Sequence, residues 1–209
     1  AVHDPALVPL PAHYPDLPES RTDWAQYYDK MTEMDRIAGG LLQELEDAGL
    51  ADDTIVMYYG DHGVGLPRSK RSATNSGLRV PLIVHVPDKF KRLMPADARV
   101  GGSSDRLVSF VDLAPTMLML AGIDVPDHME GQAFLGAQRL PEKEFLFGMR
   151  GRMDERYEMA RVVRDKRFVY SKNFMPHLPH GQHVAYMFQT PSTRAWYDKY
   201  TEGALSPEH

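Results

Sequence analysis

The sequence predicts an α/β core followed by a small antiparallel α+β subdomain, and three observations carry that expectation. A long helical pattern over residues 20–48 is followed by two apolar segments, 55–59 and 80–86, in the order of half a βαβ unit, with two parallel-type strands. The first strand ends abruptly at Gly60-Asp61-His62-Gly63, and open α/β sheets gather ligands beyond the carboxyl ends of their strands. Beyond about residue 142 short strand patterns replace this texture. The expected domains are therefore 1–142 and 143–209.

Each element has a local cause. Residues 1–19 are proline-rich and aperiodic, which predicts an extended lead-in lying on the surface. Ser20 or Thr22 can cap the next helix, and Asp23 suits its first turn. Trp24, Tyr27, Met31, Met34, Ala38, Leu41, Leu45 and Ala48 then recur at a 3-4 spacing, one apolar stripe on a helix of roughly seven turns. Gly49 ends it, and Asp52-Asp53-Thr54 leads into the strand Ile55–Tyr59. Residues 63–79 are rich in Gly, Ser and Arg, a loop longer than a minimal connector. Val108–Val111 leads to a short helix with Asp112 as N-cap, Pro115 in its first turn and Gly122 after its last. Phe145–Phe147, Ala160–Val163 and Arg167–Tyr170 read as short strands, the last two joined by an Arg-Asp-Lys turn.

Composition narrows the function. The 209 residues are 43% hydrophobic and 25% charged, an ordinary globular balance. A net charge of -5 argues against nucleic acid or an anionic membrane surface as partner. No apolar run is long enough for a transmembrane helix, and no signal peptide is visible. The chain has no cysteine, which removes disulfides, thiolate metal sites and a cysteine nucleophile from these residues. It does not start with Met, so the expectation is a chain beginning part-way through a longer protein. Its twelve methionines read as core filler.

The chemistry gathers after the first strand. Asp61 offers carboxylate oxygen to a hard divalent cation, and His62 a second donor. The bland alternative is a pair that caps a turn. The flanking glycines favour the functional reading, because backbone without Cβ can approach a bound ion. Lys70 supplies a point charge for a sulfuryl or phosphoryl oxygen, or is a solvated loop lysine. Arg68 and Arg71 flank it, making the loop basic within an acidic chain, a contrast suited to an anionic substrate. Arg150, Arg152, His177, His180 and His183 could line a subsite for an anionic sugar, or be surface residues. His85 reads as a core or edge histidine of its strand. Tyr186, Phe188, Trp196 and Tyr197 read as packing of the C-terminal part.

Gly60-Asp61-His62-Gly63, Lys70 nine residues before Arg79, and Gly77-Leu78-Arg79-Val80-Pro81-Leu82-Ile83-Val84 together resemble the sulfatases of the alkaline-phosphatase superfamily. Val108–Thr116 with Leu120-Ala121-Gly122, and Tyr28–Asp35 with Leu41–Leu50, resemble the family's other core tracts. The likeness spans about residues 5–172. Arg152–Tyr157 and Met175-Pro176-His177 are similar to bacterial sulfatases near the heparan N-sulfatase branch. The resemblance implies the later part of an alkaline-phosphatase-like mixed sheet flanked by helices. It implies Asp61 and His62 as metal ligands, and Lys70 as the group that binds sulfate and stabilises the leaving oxygen. It implies calcium, while imidazole at 62 suits manganese better.

The family's C/S-x-P-S-R motif, whose Cys or Ser matures to the formylglycine nucleophile, is absent here, as are two upstream metal-binding aspartates. Pro18-Glu19-Ser20-Arg21 is only an echo of it. The expectation is therefore roughly the second half of an enzyme that hydrolyses a sulfate ester or sulfamate, inactive alone. Its partners would be a sulfated small molecule or glycan and the missing N-terminal half. A periplasmic or extracellular location follows from the resemblance only. The alternatives are a phosphonate or phosphate monoester hydrolase of the same superfamily, and a non-catalytic fragment that binds sulfated glycans.

Overall fold

The computed structural model describes residues 2–96, 98–138, 140–179 and 181–207. Among the described residues, the α-helices and β-strands follow in the order α1 (Pro18–Asp47), β1 (Val56–Tyr59), α2 (Asn75–Leu78), β2 (Leu82–His85), α3 (Leu113–Leu120), β3 (Leu146–Met153), β4 (Arg156–Arg164), β5 (Val169–Asn173) and α4 (Pro191–Thr201). None of the described helices is long and apolar enough to cross a membrane.

Helix α1 starts earlier than its expected caps. Leu17 takes the N-cap position without a side-chain bond, and Pro18 begins the helix. Proline fits there because its missing N–H would have no intrahelical partner. Ser20 is instead fully buried within the first turn. The helix closes at Gly49, whose φ of 68° is left-handed, as the sequence predicts. In the short helix α3, Asp112 holds the expected N-cap position, but its side chain makes no cap bond to that helix. Ser109 caps the preceding turn of 3-10 helix in a reciprocal capping box with Asp112. The Asp112 carboxylate accepts from the amides of Ser109 and Gln132 and from the Lys143 ammonium. That buried knot ties residues 132–143 back onto α3.

The strands form two separate sheets, β1-β2 and β3-β4-β5, and every pairing is antiparallel. This corrects the expectation of parallel-type strands: Val56 pairs with His85 and Tyr59 with Leu82. Parallel strands need a crossover that carries the chain back to the starting edge. The loop from 60 to 81 contains only the four-residue α2, so the chain returns in the opposite sense. His85 is exposed on this two-stranded ribbon, an edge histidine. In the second sheet, β3 and β4 meet at a tight turn through Asp154 and Glu155, and β4 and β5 through the expected Arg-Asp-Lys turn.

The main core sits where four segments converge. Val8, Tyr14, Trp24 and Ala25 are buried together, with Leu10, Tyr27, Tyr28, Val64, Leu66 and Trp196 packed around them. The lead-in is thus part of the core. Only the first turns of the α1 stripe are buried: Met31 and Leu41 are exposed, and Met34, Ala38 and Leu45 are half-buried. A second cluster, Ala73 with Ala160 and Val162, seats the loop before α2 on the β3-β4-β5 sheet. Helix α4 closes against α1, where the Ser192 amide donates to the buried Asp23 carboxylate at 2.8 Å.

Candidate functional site

Strand β1 delivers Asp61 and His62 to the start of a loop that is folded tightly on itself. The Gly63 amide donates to the Gly77 carbonyl at 3.2 Å, which closes the loop at its base. A Cβ at Gly63 would overlap the Ser76 carbonyl oxygen, and one at Gly77 the carbonyls of Ser69 and Ser72. Both positions therefore require glycine for close backbone approach. Inside the loop, Ser69 Oγ donates to the Ser76 carbonyl at 2.7 Å, and Ser76 Oγ to the Arg68 carbonyl at 2.6 Å. The Lys70 amide donates to the Val64 carbonyl at 2.8 Å. From outside, the buried Tyr14 hydroxyl donates to the Pro67 carbonyl at 2.7 Å. Burial, and then the nearby Asp23 charge, push that phenol well above its ordinary pKa, so it remains a donor.

At the mouth of the loop the Asp61 side chain is 83% exposed. The His62 Nδ1–H donates to the Gly63 carbonyl at 2.7 Å. With Nδ1 facing that carbonyl, Nε2 is the ring nitrogen that could serve as a metal donor. Nε2 lies 3.5 Å from Asp61 Oδ2. Two donors that share one cation at ordinary bond lengths stand roughly 3 Å apart, so this pair has the spacing of a chelate. Among the described residues no group of three or more His, Cys, Asp and Glu side chains could hold a metal ion. His62 also lines an open cavity of about 310 Å³ with His13, Tyr14, Trp24, Tyr27 and Arg79.

Lys70 is half-buried and lines a neighbouring narrow gap, which shares Pro67 with that cavity. The structure thus places Asp61, His62 and Lys70 on one folded loop, with His62 and Lys70 in adjoining depressions and Asp61 exposed outside both linings. Arg68, φ 63°, is exposed on the same loop. Arg150 lies elsewhere, on the inward face of β3, in a largely buried ion pair with Glu158 at 3.0 Å. Arg152 is exposed at the end of β3, its Nε 3.4 Å from the Asp154 carbonyl. His177 is exposed in the turn after β5. His183 is exposed and stacks on Phe188 at 4.1 Å between centroids, and His180 lies outside the described residues.

Asp154 and Tyr186 are neighbours of the loop that sequence reasoning missed: Arg71 pairs with the first at 2.6 Å and lies over the ring of the second. A charged turn, Arg152–Arg156, was visible in the sequence, but its contact with residue 71 is made across 83 positions. Phe188 packs on Tyr197 within the C-terminal part, as expected, whereas Trp196 packs on Tyr14 in the main core.

Known proteins share this framework. The chain is 36% identical over 199 residues to an ulvan-active sulfatase of Formosa agariphila, covering 95% of this chain and 32% of that protein. It is 32% identical over 193 residues to the N-sulphoglucosamine sulphohydrolase of Homo sapiens, covering 86% of this chain and 37% of that protein. The chain therefore spans about a third of the length of these relatives. Its fold matches a solved structure in complex with its substrate D-glucosamine-2-N,6-O-disulfate, with a TM-score of 0.54 and 18% identity, over 90% of this chain and 39% of that one. The sulfatase family model matches residues 3–123, a span that holds the whole Asp61–Arg79 loop, and the chain belongs to the sulfatase family.

Proposed function

We propose that this chain supplies the lysine and part of the metal-binding set of a sulfatase that hydrolyses a sulfate ester or sulfamate on a glycan. The observation that supports the reading is the loop closed by Gly63 and Gly77, which carries Asp61, His62 and Lys70 on one folded segment, with His62 Nε2 3.5 Å from Asp61 Oδ2. The relatives named for ulvan and for N-sulphoglucosamine support a sulfated sugar as substrate. An exported setting, periplasmic or extracellular, fits such a substrate.

In this reading Asp61 Oδ2 and His62 Nε2 are two donors to a divalent cation, calcium by family analogy and manganese by the chemistry of imidazole. A bound cation there supplies positive charge to the non-bridging sulfuryl oxygens. Lys70 donates hydrogen bonds to a sulfuryl oxygen and offsets the charge that grows on the leaving oxygen. The formylglycine nucleophile lies outside these residues. Covalent catalysis needs an activated group in line with sulfur, so the 209-residue chain alone is inactive.

Two assays test this. Calorimetric titration with inorganic sulfate should show binding that Lys70→Ala abolishes. Hydrolysis of an aryl sulfate by the isolated chain should not exceed that of Lys70→Ala. Sulfate binding that ignores Lys70→Ala, or Lys70-dependent turnover by the chain alone, would sink the assignment. Turnover of an aryl phosphate faster than the sulfate by the chain within its intact enzyme would move it to phosphoryl chemistry.

A further inference from the structure

Lys70 is followed by a residue in a costly conformation. Arg71 has φ 71°, in the left-handed region that non-glycine residues enter at a penalty of about 1 kcal/mol. Something outside the residue must hold it there. Its side chain is only 12% exposed, with Nε 2.6 Å from Asp154 Oδ2. Its guanidinium carbon stands 4.4 Å from the centroid of the Tyr186 ring, within cation–π range. Asp154 is itself left-handed, φ 51°, at the β3-β4 turn. Two left-handed residues far apart in sequence therefore meet directly beside the candidate sulfate-binding lysine. Lys70, Arg71, Tyr186, Met187, Thr190 and Thr193 line the same narrow gap.

A second anchor lies farther along the loop. Arg164 of β4 donates to the Asn75 side-chain oxygen, and Ala73 is buried with Ala160 and Val162. The loop is thus held from both sides by the C-terminal sheet. Of the two adjacent cations, Arg71 is committed to Asp154 and Tyr186.

We propose that Arg71 is a positioning residue: clamped by Asp154 and Tyr186, it fixes the backbone that presents Lys70 to the sulfuryl group. The C-terminal subdomain then forms part of the anion site, with Arg152 on the same turn. The inference rests on the assignment of Lys70 given above.

The test is a titration of the 209-residue chain with inorganic sulfate, read by NMR at the backbone amide of position 70, for wild type, Lys70→Ala, Arg71→Ala, Arg71→Lys and Asp154→Asn. Asparagine tolerates the left-handed turn, so Asp154→Asn removes the charge and keeps the backbone. Simple Coulomb attraction predicts that losing this carboxylate strengthens sulfate binding. A clamp predicts the opposite sign, a loss of about tenfold, since small misplacement of a binding group is costly. Arg71→Ala should lose as much, and Arg71→Lys, which still reaches Asp154, should recover part of it. If Lys70→Ala abolishes binding while Asp154→Asn leaves it unchanged or tighter, the clamp is overturned and the lysine assignment stands. If Lys70→Ala has no effect, the lysine assignment fails and the clamp with it.

Discussion

Single side chains at this site divide between chemistry and support. His62 is bound through Nδ1 to its own neighbour's carbonyl, so Nε2 is the only ring donor available to a cation. Replacing it by Asn exchanges a nitrogen donor for an oxygen, and His62→Asn should raise affinity for calcium relative to manganese. Competitive titration of the two ions on the intact enzyme would check this. Tyr14 is support. Tyr14→Phe removes one buried hydrogen bond to Pro67 and should cost about 1 kcal/mol in a urea melt, with the Pro67 carbonyl left unsatisfied. Arg150 was a candidate substrate contact in the sequence, but its ion pair with Glu158 is largely buried. Arg150→Met removes one partner of this largely buried ion pair and should destabilise by about 3 kcal/mol. A loss of stability with unchanged sulfate affinity would place Arg150 in the framework.

The elements were legible where local chemistry decides them. The 3-4 apolar spacing, Gly49 and Gly122 read directly as helix and helix stops, and both glycines adopt left-handed φ. The caps were less legible: Ser20 is fully buried inside the first turn, and Asp112 stands at the expected start of α3 but turns its carboxylate to the Ser109 and Gln132 amides. The lead-in shows a similar tertiary use. Asp29 of α1 accepts the amides of Val2 and His3 and the His3 ring. Those backbone bonds, foremost that of His3, hold its carboxyl down to about 2. A depressed carboxyl stabilises the fold above its unfolded value near 4 and loses that contribution as pH falls through the folded one. The protection factors of the Val2 and His3 amides, measured against intrinsic exchange at each pH, should therefore hold at pH 5 and fall as the pH drops from about 4 through 2. Unchanged protection at pH 2 would contradict the tether.

At the scale of the whole molecule, both edges of the β1-β2 ribbon and much of the α1 stripe are open among the described residues, with Leu41, Leu42 and Ile83 exposed. Unpaired strand edges beside apolar surface template association. Sedimentation should show reversible self-association that rises with concentration and persists in high salt. A strictly monomeric species would contradict it.

The sequence by itself determined the helix of α1, the abrupt end of β1 at Asp61-His62, the basic loop with Lys70 and the family to which these belong. These depend on neighbours a few residues away, on periodicity, on turn glycines and on motif spacing. Only the tertiary structure decided that β1 and β2 run antiparallel, that Arg150 is tied to Glu158, and that Arg71 reaches Asp154 and Tyr186. Strand direction depends on where a connection lands, and the partner of a charged side chain depends on what folds against it. Neither is encoded in the residues on either side.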